Sequence, residues 1–79
     1  MMARKELKRV LSADGTKRVR VMETPRNLFC FEAETYVVEV ENNDAFWDPT
    51  HVSGFYDSAE AAERAACLEL PWLRDQISN

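Results

Sequence analysis

A chain of 79 residues supports one hydrophobic core and is too short for two, so a single domain over 1–79 is expected, with 1–5 and 75–79 frayed. An apolar fraction of 46% with 10% aromatics argues against disorder, and no run approaches the roughly 20 apolar residues of a membrane-spanning helix. The net charge of −4 hides two unlike halves: residues 1–26 carry eight basic against three acidic residues, and residues 27–79 carry two against eleven.

The first residues, Met1 to Arg9, hold charges with no apolar block behind them, which a signal peptide requires. Together with two widely separated cysteines, Cys30 and Cys67, this predicts a cytoplasmic protein with reduced thiols. His51 is the single histidine and shares no zinc-ligand spacing with either cysteine, so neither a metal nor another cofactor is expected. Two glycines cannot build a phosphate-cradling loop.

Along the chain, Leu7–Ser12 and Lys17–Met22 flank Asp14-Gly15, a strong hairpin signal because both residues tolerate positive φ. Val19 and Val21 alternate with Arg18 and Arg20, as a half-buried strand requires. The first run is read as a strand, although Leu7, Val10 and Leu11 also fit helical spacing, so residues 3–12 retain a helical alternative.

Thr24-Pro25-Arg26-Asn27 reads as a turn. In the run Leu28–Val40 the apolar residues change parity, from Phe29, Phe31 and Ala33 to Tyr36, Val38 and Val40. A period of two requires a phase slip near Glu34-Thr35, either a bulge in one strand or a break into two; the bulge is favoured. Glu41–Asp44 reads as a turn, and Asp48-Pro49 interrupts the next strand and marks a sheet edge or a bulge there.

Asp57 with Glu60 three residues later predicts a capped helix start, and Ala59, Ala62, Ala66 and Leu70 form its inward stripe. Pro71 is expected to end that helix, leaving Trp72 and Leu73 as an apolar plug. The predicted fold is α+β: a three- to four-stranded antiparallel meander packed on one face by a single C-terminal helix.

The segment Phe55-Tyr56-Asp57-Ser58-Ala59-Glu60-Ala61-Ala62-Glu63, closing on Pro71-Trp72-Leu73, resembles small uncharacterised bacterial proteins over the last third of the chain. That resemblance brings no catalytic residue with it. A strand followed by such a helix start is also similar to integrase-type three-strand-plus-helix DNA-binding domains, whereas the acidic strands here depart from what a groove reader needs.

No motif assigns an activity. Asp48, His51 and Ser53 supply the residue types of a hydrolase triad without the strained turn and cleft it needs, so no enzyme is expected. One helix covers one sheet face, so the other must be polar or must meet a protein partner or a second copy, with Tyr36, Trp47 and Phe55 as candidate anchors. The alternative is nucleic-acid binding, with Lys8, Arg9, Lys17, Arg18 and Arg20 on phosphates. Against it stands cross-strand pairing of Lys17, Arg18 and Arg20 with Glu32, Glu34 or Glu39.

Overall fold

The structure, a computed structural model, describes residues 4–77. It begins with the hairpin that Asp14-Gly15 encodes: β1 (Lys5–Leu11) and β2 (Lys17–Glu23) run antiparallel. Gly15 takes φ +76° at the turn, where a side chain would be strained. Asp14 Oδ1 accepts from Ser12 Oγ at 2.7 Å, Thr16 Oγ1 at 2.7 Å and the Thr16 backbone N–H at 3.0 Å. Those bonds, the one from the Thr16 backbone foremost, hold the Asp14 carboxyl down at about 2. The helical alternative is thus excluded over Lys5–Leu11. Leu7 is the extra residue of a bulge in β1, since Glu6 pairs with Met22 and Lys8 with Val21.

β3 (Phe29–Glu39) and β4 (Asp44–Val52) complete a four-stranded sheet in the order β1-β2-β3-β4. The predicted meander is correct, and β3 is one strand. The phase slip lies elsewhere than expected: β3 pairs with β2 without a break from Phe29 to Thr35, and the irregularity falls in β4. Ala33 faces His51 and Glu34 faces Pro49, so Thr50 is the extra residue. Its hydroxyl donates to Ala33 O at 3.1 Å. Pro49 sits within the edge strand rather than interrupting it.

After Gly54 the chain returns to the sheet, where Tyr56 and Phe29 exchange backbone hydrogen bonds of 2.7 and 2.9 Å. Helix α1 (Ala59–Glu69) follows, capped by Ser58, whose Oγ accepts from Ala61 N–H at 3.1 Å. The expected Asp57 cap is therefore displaced by one residue, and Glu60 lies too early in the helix to complete a capping box. Pro71 does end α1, with Leu70 in extended conformation before it, but it also opens a second helix, α2 (Pro71–Ile77). Its missing N–H is no loss in the first turn. Two helices thus replace the expected helix and plug. Of the ends expected to fray, Lys5 stands in β1 and Asp75 to Ile77 in α2; residues 1–3 and 78–79 lie outside those described.

Parity decides the core. Val19, Val21 and Phe31 point to one sheet face and meet Ala62, Ala66 and Leu73, all buried, with Ala59, Leu70 and Trp72 packed around them. The inward alanines let α1 approach the sheet closely enough for Phe31 to be fully enclosed. Burying that ring contributes about 1.5–3 kcal/mol. The molecule measures only 16 Å along its shortest axis, so the opposite sheet face has no third layer over it.

Candidate protein-binding face

Because β2 and β3 alternate, the residues between the core positions lie on the face away from the helices: Arg18, Arg20 and Met22 from β2, and Cys30, Glu32, Glu34 and Tyr36 from β3, of which Met22, Cys30 and Glu34 are nevertheless buried. In the register, Arg18 lies opposite Glu34, Arg20 opposite Glu32, and Met22 opposite Cys30. Glu34 is the buried carboxylate of this face, 6% exposed. Its Oε1 accepts from Arg18 Nε at 2.6 Å and lies 3.3 Å from Arg20 Nε, a contact without hydrogen-bond alignment. Arg20 also reaches Glu32 at 3.7 Å and Glu6 at 3.5 Å, and Glu6 in turn holds Arg9 at 3.0 Å. Burial pushes the Cys30 thiol up, with the Arg4 charge opposing and Glu32 adding to the rise.

This network accounts for three of the five predicted phosphate contacts. Arg9, Arg18 and Arg20 share the uncovered face and are each held by a carboxylate. Lys8 is not among them: it pairs with core-facing Val21 and donates to Glu63 of α1 at 2.6 Å on the helix side. Lys17 lies exposed at the start of β2, outside the network, and Glu39 takes its hydrogen bond from Asn42.

Two of the three predicted anchors come together. Tyr36 and Trp47 pair across β3 and β4 with ring centroids 5.2 Å apart, and the Arg18 guanidinium stands 4.2 Å from the Trp47 ring centroid. Phe55 is elsewhere. It precedes Tyr56, which bridges Phe29 seven positions back along β3 from Tyr36, a separation of roughly 23 Å at about 3.3 Å per residue. There Phe55 carries the Arg4 guanidinium 5.6 Å from its centroid and lines a separate cleft with Arg4, Thr24, Pro25, Arg26 and Leu28. Sequence reasoning missed Arg4 because its partner is set by where the chain returns after Gly54.

The aromatic pair marks the root of a projecting arm. The Tyr36 N–H donates to Thr16 O at 2.7 Å, the last contact of β3 with the β2 side, and from Val37 onward β3 pairs with β4 alone. Tyr36, Val38, Val40 and Phe46 are exposed there, Val40 to 87%. Within residues 36–48 the charged side chains are all acidic: Glu39, Glu41, Asp44 and Asp48.

The groups of the hydrolase triad are each engaged separately. His51 Nε2 lies 2.8 Å from Glu69 Oε2 on α1, while Ser53 Oγ accepts from Phe31 N–H at 2.9 Å and donates to Gly54 O at 2.7 Å. Asp48 lies opposite Thr35, on the far side of the Thr50 bulge from His51. Both cysteines are free thiols, Cys30 on the uncovered face and Cys67 on α1, and no cluster among the described residues could hold a metal ion. No helix is long and apolar enough to cross a membrane among the described residues. No family model matches the chain, and no curated protein or solved structure matches it either.

Proposed function

We propose that this chain is a small cytoplasmic accessory or regulatory protein, without enzymatic activity of its own, that works by binding another protein or itself. The observation that carries this reading is the pairing of exposed Tyr36 with half-buried Trp47 at the root of an acidic two-stranded arm. A two-stranded ribbon is marginally stable alone in water, and its apolar side chains gain from being covered. Aromatic residues also dominate the energetics of protein interfaces. Phe55 belongs to a separate surface and drops out of the anchor set.

The test is capture of partners by the tagged chain, with and without nuclease, beside light scattering of the chain alone. A protein retained after nuclease and lost on Tyr36→Ala, or self-association lost on the same change, supports the reading. Capture abolished by nuclease would overturn it in favour of nucleic-acid binding. That alternative has to free Arg9, Arg18 and Arg20 from their carboxylates before they can serve phosphates.

A further inference from the structure

β4 is an edge strand, and the ladder tells which of its backbone groups face outward. In an antiparallel pair a residue's N–H and C=O point to the same neighbour, and alternate residues point to opposite sides. Tyr36 directs its N–H toward β2, so Thr35, Val37 and Glu39 direct theirs toward β4. Their partners Asp48, Phe46 and Asp44 therefore face β3, and Ala45 and Trp47 present N–H and C=O outward. By the same alternation Pro49 stands at an outward position, where its missing N–H costs the sheet nothing and ends the available row.

Natural edge strands are commonly guarded by lysine. This one holds neither lysine nor arginine, and none occurs from Asn27 to Glu63. Asp44 and Asp48 instead flank Phe46 on one face of the strand, all three exposed, with Trp47 on the other. The carboxylates select the occupant. In a second copy added antiparallel, the register that joins Ala45 to Trp47 on both sides would set each Asp44 against an Asp48, and like charges directly opposite are destabilising. A segment carrying cations at those positions meets opposite charge instead.

We propose that the outer edge of β4 between Asp44 and Asp48 is a strand-addition site for an extended, basic segment of a partner protein. The segment alternates Lys or Arg, opposite Asp44 and Asp48, with apolar residues that cover Trp47 and Tyr36. Backbone hydrogen bonds to Ala45 and Trp47 supply the register, and the alternating side chains supply selectivity. This inference rests on the protein-binding reading and names the edge and the partner chemistry.

The experiment is selection of short random peptides displayed on phage against the full chain, followed by calorimetric titration of the enriched peptides. Enrichment of alternating basic–apolar sequences is expected, with binding weakened at least about tenfold by Ala45→Pro, which removes one outward N–H. The double change Asp44→Lys with Asp48→Lys leaves the backbone intact and is expected to weaken binding by at least about the same factor, as added salt also does. Peptides without excess Lys or Arg, binding indifferent to both variants, or no enrichment at all would overturn the edge site. Self-association abolished by Ala45→Pro would overturn it in favour of a second copy. In each of those cases, a partner protein lost on Tyr36→Ala would leave the broader protein-binding reading standing, and no such partner would remove both.

Discussion

Arg18 serves two neighbours at once: its Nε donates to Glu34 Oε1 at 2.6 Å while its guanidinium lies 4.2 Å from the Trp47 ring centroid. The hydrogen bond lies along the β2–β3 pairing and the ring contact reaches across to β4, so one side chain ties three strands together. A planar guanidinium suits both contacts, which a lysine ammonium would not reproduce.

Glu34→Gln keeps the shape of the side chain and removes the charge that both arginines approach. A loss of about 2 kcal/mol is expected, because a nearly buried guanidinium loses the charge of its carboxylate acceptor. Urea unfolding of variant and parent measures it, and an unchanged midpoint would show that a neutral acceptor at position 34 suffices for Arg18.

Ser58→Ala is expected to cost about 1 kcal/mol by freeing the Ala61 N–H at the start of α1. Asp57→Ala should cost clearly less, since its side chain stands one position before the cap. Thermal unfolding of the two variants side by side separates the positions.

Asp14 titrates well below an ordinary carboxylate, at about 2, because its charged form accepts the hydrogen bonds of the first turn. A folded-state value below the unfolded one, roughly 3.9, adds stability that is fully present above the unfolded value and is lost as pH falls through about 2. The advantage of the parent over Asp14→Ala should therefore shrink on acidification across that window. Denaturant unfolding at stepped pH reads it, and a difference that stays flat would disprove the linkage.

Ala66→Leu places a larger side chain where α1 meets Phe31 and the β2 valines, at a position 1% exposed. Overpacking of this kind costs about 1–3 kcal/mol. Phe31→Ala, which empties the same space, should cost about 3–5 kcal/mol, measurable by the same unfolding curves.

Local chemistry carried most of the fold into the sequence. Asp14-Gly15 fixed the first hairpin, alternation fixed β2, and the alanine stripe fixed the inward face of α1. The misplaced features share one cause, that a residue type satisfied two structural roles. Proline both stops a helix and opens one, so Pro71 concealed α2. Asp57 and Ser58 are both good caps, and only backbone geometry chooses between them. Tyr36 and Val38 imitated a phase slip because apolar residues were assigned to the covered face, whereas these two stand on the uncovered one. Within the candidate site, the pairing of Arg18 and Arg20 with Glu32 and Glu34 followed from opposite charges on adjacent strands. Phe55 could not be separated from Tyr36 and Trp47 without knowing which end of β3 receives the returning chain.

The Thr50 bulge gives β4 two independent halves. Trp47 and His51 are both odd-numbered, and an uninterrupted strand would turn them to the same side. With Thr50 inserted, His51 reaches Glu69 beneath the sheet and Trp47 stands with Tyr36 and Arg18 above it. Drawing Thr50 into the ladder opposite Glu34 would set Trp47 against Val37 and turn it to the helix side, while leaving the core register of β2 and β3 in place. Thr50 thus works as a phase coupling: the inner half of β4 is committed to the helix layer, and the outer half can change its recognition chemistry without disturbing the fold.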